Sequence, residues 1–345
     1  MMRRLLVRLP NPLGDAVMAT PALRALRRGL PGTEIAVLGQ PHHEGLLRGN
    51  QSFDAFIPLR GRAWRDVAER ARELRGGGYD AALVLPDSAR AAIDPFAARI
   101  AVRVGYARDV WRRFLLTHAI DPPRDRVARV AVSMIERYLR LARALGVRDA
   151  GDALELHVHA DAAECAEALL ARAGVAPGEP VLLVTPGAAY GGSKLWPPEH
   201  FARAADEIRR RFGLVPVIAP APNAAEIAIA RRVSGAMAER HVALLEPDPS
   251  LEVFAAIAAR ADLVLTNDTG PRHVAVALDR PVVVLIGPTD PRHTAHLLER
   301  QRVLFEDVAC RPCGRPVCPI GDHRCLVRLA PERAVAAAAE LLAVR

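Results

Sequence analysis

Short apolar runs alternate along the whole chain with longer segments in which apolar residues recur at helical spacing. In the first half they predict strands at residues 5–9, 34–38, 81–85 and 99–104, and helices at 15–28, 65–75 and 127–145. In the second half they predict strands at 181–185, 214–219, 242–245, 263–266, 282–286 and 303–305, and helices at 200–212, 224–234, 251–260 and 271–278. Apolar strands that alternate with helices are typical of parallel sheets with right-handed crossovers.

The alternation restarts after a polar, glycine-containing stretch at residues 146–152. We therefore place a linker near residues 146–178 and predict two α/β domains, residues 1–160 and 161–345, each a Rossmann-like doubly wound sheet. Packing of the last helix back on the first domain is compatible with this division. Sheets of this kind bind ligands beyond the carboxyl ends of their strands, so we expect the site in a cleft between the two domains.

The composition is that of a globular protein, with 345 residues of which 51% are hydrophobic and 25% are charged. No apolar run reaches the roughly 18 residues that a membrane-spanning helix needs. Residues 1–9 combine a basic start with a short apolar stretch, which favours a first strand over a signal peptide. We therefore expect a cytoplasmic protein.

The formal net charge of +8 comes almost entirely from arginine. It favours an anionic partner, such as a phosphorylated substrate, an acidic membrane surface or a nucleic acid. An arginine-rich coding bias would give the same excess without any partner. Aromatic residues make up only 4% of the chain, which argues against a stacking platform for single-stranded nucleic acid.

A turn with two prolines and a glycine follows the first predicted strand, and Asp15 lies where the next helix begins. Two roles fit this position. Aspartate is a common N-cap of helices for backbone reasons alone. A carboxylate at the carboxyl end of a strand can also face a cleft and act as a general base.

A loop of small residues follows the strand predicted at 181–185 and leads to Lys194, Trp196 and Pro197. Glycine-rich backbone lets N–H groups approach an anion, and a lysine supplies a point charge. The spacing is not that of a Walker motif. An ordinary loop with a surface lysine is the alternative, but the Lys-x-Trp-Pro run favours a phosphate site.

The strand predicted at 263–266 leads into a polar Asn-Asp-Thr-Gly turn at residues 267–270, and Pro271 then opens a helix. The N–H groups at the helix start would face the cleft, with the hydroxyl of Thr269 and the ring N–H of His273 beside them. These groups predict a pyrophosphate site with little positive side-chain charge. Capping of the helix by Asp268 and Thr269 is the alternative.

Four cysteines lie within 16 residues near the end of the sequence, at Cys310, Cys313, Cys318 and Cys325, while Cys165 stands alone. The spacing allows zinc or an iron–sulfur cluster. The second pair lacks the two-residue spacing of a zinc ribbon, so reduced thiols in a proline-rich turn are favoured over a structural metal. Disulfides are not expected in a cytosolic protein.

Taken in order, these segments resemble the ADP-heptose:lipopolysaccharide heptosyltransferases of glycosyltransferase family 9. The order is Gly-Asp at 14–15 with Ala-Thr-Pro-Ala-Leu at 19–23, Pro-Gly at 186–187 through Lys-Leu-Trp-Pro at 194–197, Asn-Asp-Thr-Gly-x-x-His at 267–273, and Gly-Pro-Thr-Asp-Pro at 287–291. The cysteine loop at 310–326 is most similar to that of the heptosyltransferase II group. Each motif is modest alone, but five in this order cover nearly the whole chain and are specific.

The resemblance implies a GT-B fold, in which two Rossmann-like domains face each other across a cleft. It also implies an inverting, metal-independent transfer of L-glycero-D-manno-heptose from ADP-heptose to the heptose-bearing inner core of lipopolysaccharide. No cofactor is required for that reaction. Because such an acceptor is lipid-linked and anionic, we expect a peripheral enzyme at the cytoplasmic face of the inner membrane, with no nucleic-acid partner.

The family's functional residues match named positions of this sequence. By this resemblance Asp15 is the general base, Lys194 binds the donor phosphate and Glu226 binds the ribose. The pyrophosphate-binding turn matches Asp268, Thr269, Gly270 and His273.

The sequence departs from the family at Arg272, where an apolar residue is usual, so this cation lies beside the diphosphate or points to solvent. It also has Asn-Pro-Leu at residues 11–13, where Ser-Ala-Ile is more usual. Seven arginines of the first half are candidate contacts for acceptor phosphates: Arg60, Arg62, Arg65, Arg112, Arg113, Arg124 and Arg126. Two alternatives stay open, a family member with another nucleotide-sugar or acceptor, and a non-catalytic protein that binds a nucleotide-sugar or nucleic acid.

Overall fold

The computed structural model describes residues 2–61, 63–123, 131–245 and 250–343. Within these residues, 12 strands form two parallel six-stranded sheets, one in each of two units, Met1–Glu155 and Leu156–Arg345. The prediction of two doubly wound α/β sheets is confirmed. No helix of the described part is long and apolar enough to cross a membrane.

The first unit alternates strands with helices. Its strands are β1 (Arg4–Arg8), β2 (Glu34–Gly39), β3 (Ala55–Pro58), β4 (Ala81–Val84), β5 (Val102–Tyr106) and β6 (His118–Ile120). Its helices are α1 (Leu13–Met18), α2 (Thr20–Gly29), α3 (Pro41–Leu46), α4 (Trp64–Gly76), α5 (Ala89–Ala97), α6 (Val110–Leu115) and α7 (Met134–Arg143).

The second unit repeats the alternation. Its strands are β7 (Val181–Thr185), β8 (Val215–Ile218), β9 (Val242–Ala243), β10 (Leu263–Asn267), β11 (Val282–Leu285) and β12 (Gln301–Leu304). Its helices are α8 (Ala160–Arg172), α9 (Pro198–Phe212), α10 (Ala224–Ala236), α11 (Leu251–Arg260), α12 (Gly270–Ala277), α13 (Arg324–Val327) and α14 (Pro331–Leu342). The last helix packs on α9 and on β12 of its own unit.

The two sheets share one strand order. It is β3-β2-β1-β4-β5-β6 in the first and β12-β11-β10-β7-β8-β9 in the second, so each sheet changes direction between its first and fourth strands. The central strands are buried on both faces, which explains their continuous apolar runs. Ligands of such sheets bind at the carboxyl ends of the two strands that flank this switch point. The loops after β1 and β4, and after β7 and β10, are therefore the places to look for a site.

The ten predicted strands all overlap observed strands, but β3 and β6 were not predicted. Both are short outer strands of the first sheet and only partly buried, so they lack the long apolar run that marks the others. The predicted helix at 15–28 is two helices that meet at Ala19. The predicted linker at 146–178 was wrong in part, because α8 lies inside it and packs on α11.

Candidate active site

Asn267, the last residue of β10, joins the two central loops of the second sheet. Its side chain is fully buried. The amide Nδ2 donates to the carbonyl oxygens of Pro186 (2.7 Å) and Gly187 (3.3 Å), and Oδ1 accepts from the backbone N–H of Trp196 (3.2 Å). Asn267 therefore fixes the loop after β7 against the end of β10.

Asp268 lies at the centre of the cluster of charges. Its Oδ1 accepts from Arg272 Nη1 (2.7 Å), and its Oδ2 accepts from Lys194 Nζ (3.1 Å) and Thr289 Oγ1 (2.9 Å). Burial alone would raise the pKa of Asp268, but the charges of Lys194 and Arg272 outweigh it and hold the pKa well below its usual range. The carboxylate is thus ionised and shared by two cations.

Arg272 is fully buried against this carboxylate, so of the two positions considered for it, the one that points to solvent is wrong. Besides Asp268, its guanidinium donates to Gln301 Oε1 (2.8 Å), Thr294 Oγ1 (2.7 Å) and the carbonyl oxygen of Thr294 (3.0 Å). A rigid planar fork with several donors suits such a buried position. Arg272 therefore holds the carboxylate of Asp268 in place from the buried side of the site.

Lys194 lies at the end of the loop after β7. Its Nζ donates to the backbone oxygen of Asp268 (2.7 Å) as well as to the carboxylate, and it lies 5.2 Å from the ring centroid of Tyr190. Two residues on, the fully buried indole of Trp196 donates to the carbonyl oxygen of Leu329 (2.9 Å) and packs on Phe201. The Lys-x-Trp-Pro run therefore combines an anchor in the core with a cation at the edge of the sheet.

Glu226 belongs to the same edge of the sheet. It lies in the first turn of α10, after β8, and its Oε2 accepts from the backbone N–H of Ala221 (3.1 Å). A Cβ placed on Gly187 would come within 1.9 Å of Oε2, so the carboxylate lies directly against the loop after β7. The structure thus brings Glu226 to the loop that carries Lys194, a proximity that the sequence around Glu226 does not signal.

Thr269 is the N-cap residue of α12, but its side chain makes no capping hydrogen bond, so capping alone does not explain the turn at residues 267–270. The side chain of Asp268 makes ion pairs, and the hydroxyl of Thr269 donates weakly to the carbonyl oxygen of Asn267 (3.4 Å). Gly270 and Pro271 form the first turn of α12. The backbone N–H groups of a first helical turn have no partner within the helix, which makes them donors for an anion.

His273 is buried below the turn and stacks on His296, with ring centroids 5.3 Å apart. Burial lowers the pKa of His273 well below its usual value, and the charge of Arg272 lowers it further. Among the described residues, its Nδ1 has no hydrogen-bond partner. His273 is therefore neutral, and the positive charge at this edge comes from Lys194 and Arg272.

The loop after β11 and the cysteine loop complete the surroundings of Lys194. Thr289 reaches Asp268 as described above, and the backbone N–H of Gly314 donates to the carbonyl oxygen of Pro288 (2.9 Å). The backbone N–H of Ser193 donates to the carbonyl oxygen of Pro316 (3.1 Å), beside Lys194. The cysteine loop thus braces two loops of the site.

All five cysteines are free thiols, and four of them, Cys310, Cys313, Cys318 and Cys325, line one small cavity with Arg311 and His323. Backbone N–H groups lower the pKa of Cys318, whereas burial raises the pKa of Cys325. No group of His, Cys, Asp or Glu side chains in the described ranges is arranged to hold a metal ion. The observed role of this segment is the brace of backbone hydrogen bonds.

In the first unit, Asp15 lies half-buried in the first turn of α1, directly after β1. Pro12 is the N-cap residue of this helix, so the capping role considered for Asp15 is wrong. Burial raises the pKa of Tyr138, and the charges of Asp15 and Asp87 raise it further. Asp87 follows β4 and forms an ion pair with Arg137 (2.6 Å). Asp15 thus belongs to a polar group at the switch point of the first sheet.

The arginines predicted to contact acceptor phosphates differ in their exposure to solvent. Arg112 is fully buried and donates to the carbonyl oxygens of Pro86, Ser88 and Tyr106, so it is not available to a ligand. Arg60, Arg65 and Arg113 are exposed. The remaining three, Arg62, Arg124 and Arg126, lie outside the described residues.

These features agree with a comparison to known families. A family model described as glycosyltransferase family 9 (heptosyltransferase) matches residues 67–323. The chain belongs to glycosyltransferase family 9. The resemblance inferred from the five sequence motifs is thereby confirmed.

Similar proteins within family 9 match over most of their length. Lipopolysaccharide heptosyltransferase 2 of Salmonella typhimurium is 29% identical over 295 residues, which is 80% of each chain. The solved structure of Escherichia coli ADP-heptose lipopolysaccharide heptosyltransferase II is 27% identical, covers 99% of both chains and has a TM-score of 0.79. A family 9 structure from Veillonella parvula has a TM-score of 0.84 at 22% identity, covers 99% of this chain and 98% of its own, and supports the fold alone.

Part of this family 9 site was not predicted from sequence. Asn267 and Thr289 lie inside motifs but were given no role. Thr294 and Gln301, which accept hydrogen bonds from Arg272, lie outside any motif. A polar residue at the end of an apolar strand, as at Asn267, is a usable signal. The partners of a buried arginine emerge only when the chain is folded.

Proposed function

We propose that this chain transfers L-glycero-D-manno-heptose from ADP-heptose to the heptose-bearing inner core of lipopolysaccharide. The observation that carries the proposal is the Lys194–Asp268–Arg272 cluster at the switch point of the second sheet. With one anion and two cations, the cluster has a net positive charge at the place where sheets of this type bind nucleotides. The similarity to lipopolysaccharide heptosyltransferase 2 supports the donor and the acceptor.

The donor diphosphate binds between Lys194 and the first turn of α12. An ammonium group has three N–H donors, and Asp268 accepts two of them, so one is left to face a phosphate oxygen. The N–H groups at Thr269 and Gly270 and the positive end of the helix add further donors. Glu226, against the same loop, accepts from a ribose hydroxyl.

Asp15 acts as the general base. It takes the proton from the acceptor hydroxyl while that oxygen bonds to the anomeric carbon and the bond from this carbon to the ADP oxygen breaks. Attack opposite the leaving group inverts the anomeric centre. Lys194 and the N–H groups of the turn stabilise the negative charge that develops on ADP, so the reaction needs no metal ion. His273, although neutral, can add a ring N–H donor to this set.

The acceptor is an anionic lipid-linked sugar, so the enzyme works peripherally at the cytoplasmic face of the inner membrane. The net charge of +8 supports attraction to acidic lipid headgroups. The exposed Arg113 and Arg65 of the first unit are candidates for contact with acceptor phosphates.

A transfer assay with defined substrates tests this function. Core acceptors that carry zero, one or two heptoses are incubated with ADP-heptose, with and without excess EDTA, and products are identified by mass spectrometry and NMR. We expect transfer to the acceptor with one heptose, an α-linked product and full activity in EDTA. Transfer from a different nucleotide-sugar but not from ADP-heptose would refute the proposed donor, and loss of turnover in EDTA would refute the metal-free mechanism.

A further inference from the structure

Helix α6 of the first unit has its polarity reversed relative to an ordinary surface helix. Three of its four apolar side chains face solvent, with Val110 69%, Trp111 80% and Phe114 71% exposed, whereas Leu115 packs against the core. Its arginine at position 112 is fully buried. Single exposed apolar residues are common on proteins, but three within five residues of one short helix form a patch.

The orientation of α6 is fixed by buried hydrogen bonds. The guanidinium of Arg112 donates to the carbonyl oxygens of Pro86 (2.6 Å), Ser88 and Tyr106, and the carboxylate of Asp109 accepts from the backbone N–H of Arg112 (2.8 Å). Turning the helix to bury its apolar face would break the three bonds of the guanidinium and leave those carbonyl oxygens without their donor, whereas the capping bond of Asp109 belongs to the helix itself. The patch is therefore presented outward by the fold.

Charge is distributed unequally between the two units. Residues 1–155 contain 26 arginines against 17 aspartates and glutamates, whereas residues 156–345 contain 21 basic and 22 acidic residues. The whole positive excess therefore belongs to the unit that carries α6. Next to the patch, Arg108 and Arg113 are exposed, together with Asp109 and with Asp121, which lies 3.4 Å from Arg113.

We propose that α6 docks this chain on an anionic lipid bilayer through the patch of Val110, Trp111 and Phe114. Tryptophan and phenylalanine favour the interface between headgroups and acyl chains, and a basic surface adds attraction to acidic lipids. A protein partner would need a surface that is both apolar and acidic to match these two features, whereas an anionic bilayer presents acidic headgroups and apolar chains together. The inference rests on the proposed function, since a lipid-linked acceptor requires the enzyme at a membrane.

Vesicle binding tests the proposal without any sugar. Wild-type protein is sedimented with vesicles of phosphatidylcholine alone or of equal parts of phosphatidylcholine and phosphatidylglycerol, and compared with a Trp111→Ser/Phe114→Ser variant. Leu298→Ser, which removes an exposed apolar side chain from the second unit, is the matched control. We expect wild type and control to prefer the anionic vesicles, and the double variant to bind them at least about tenfold more weakly.

Two further readouts separate the possible failures. Transfer to a delipidated, water-soluble acceptor should be unchanged in the double variant, because neither side chain is among the residues proposed for the donor, the base or the acceptor phosphates. Equal vesicle binding by variant and wild type would overturn the proposal. So would a wild-type dimer that the double variant converts to a monomer, since the patch would then bind a second copy. Vesicle binding without any heptose transfer by the wild type would refute the proposed function and leave the docking surface standing.

Discussion

At the scale of single residues, the site depends on one buried carboxylate, that of Asp268. Asp268 is 4% exposed and holds Lys194 and Thr289 on one oxygen and Arg272 on the other. A buried charge is tolerated only when it is paired and hydrogen-bonded. The carboxylate and the backbone oxygen of Asp268 therefore hold the ammonium group of Lys194 at the edge of the sheet. In the proposed mechanism, a cation that is already in place can stabilise the leaving group without reorganisation.

Replacement of Asp15 by asparagine tests the base directly. The amide keeps the size of the side chain but cannot accept the proton, so kcat should fall by at least about a hundredfold. ADP affinity, measured by calorimetry, should stay as in the wild type because the proposed donor residues belong to the second unit. Asp152→Asn, a change at an exposed carboxylate of the first unit, is the control. Normal turnover of the Asp15→Asn variant would sink the assignment.

Replacement of Arg272 by methionine tests whether its buried ion pair with Asp268 stabilises the fold. Removing one partner of a buried pair leaves a carboxylate with less compensation, so the free energy of unfolding in urea should fall by about 3 kcal/mol. Arg292→Met is the matched control, because Arg292 pairs with Asp290 while 70% of its side chain is exposed. That change should leave the unfolding midpoint as it was. Equal effects of the two substitutions would contradict the structural role of Arg272.

A buried histidine of the first unit predicts how stability depends on pH. Burial lowers the pKa of His43 to about 3, with a further contribution from His42. His43 takes up a proton near pH 6.5 in the unfolded chain but not in the folded chain. Its contribution to the free energy of unfolding is therefore complete above pH 7 and is lost as the pH falls toward 3. Between pH 7 and pH 5 the free energy of unfolding should fall by about 2 kcal/mol because of His43.

The His43→Gln variant should therefore lose less stability than the wild type over the same interval. Its unfolding midpoint at pH 7 establishes that it folds, and the exposed His118→Gln variant should behave as the wild type does. A drop of equal size in the His43→Gln variant and the wild type would show that His43 does not titrate as described.

At the scale of elements, the sequence predicted strands and the loops that follow them better than it predicted helix contacts. An apolar strand that ends in a polar turn is visible in a one-dimensional pattern, as at β7 and β10, because both faces of the strand are buried. The brace between the cysteine loop and the Lys194 loop was not visible. Its hydrogen bonds run to backbone carbonyl oxygens of the cysteine loop, from the N–H and hydroxyl of Ser193 and from the hydroxyl of Tyr190, and no sequence pattern marks such acceptors.

The brace can be broken at one glycine. Gly191 has a φ of 143°, which alanine rarely adopts, and a Cβ there would lie 2.4 Å from the carbonyl oxygen of Pro316. The backbone N–H of Lys194 donates to the carbonyl oxygen of Gly191 (3.2 Å), so the strain should displace Lys194. Gly191→Ala should therefore raise the Kd for ADP about tenfold.

The neighbouring glycine provides the control for this prediction. A Cβ on Gly192 would meet no atom within 4 Å, so Gly192→Ala should bind ADP as the wild type does. Calorimetric titration of both variants gives the comparison. Similar ADP affinities for Gly191→Ala and Gly192→Ala would show that the brace does not position Lys194.

At the scale of the whole molecule, the two sheets have the same strand order but different polar groups at their switch points. The first carries Asp15 and Asp87, and the second carries Lys194 and Asp268 with Arg272 beneath. In the proposed mechanism Asp15 of the first group accepts the proton, and the excess positive charge of the second group attracts the diphosphate. Under that proposal one strand order serves two chemical tasks, and the difference lies in the few residues that follow the strands.

This division predicts where ADP alone protects the backbone from hydrogen exchange. A ligand that binds only the folded state stabilises its site by an amount that grows with its concentration, about a hundredfold in opening equilibrium at a concentration of 100 Kd. Exchange measured by mass spectrometry should slow most in peptides that cover residues 186–194 and 267–273, where the proposed diphosphate ligands lie. Peptides that cover residues 10–17 should exchange as they do without ligand until an acceptor is added. If ADP protected the peptides around Asp15 most strongly, the nucleotide would bind at the first sheet, and the proposed division of roles would be overturned.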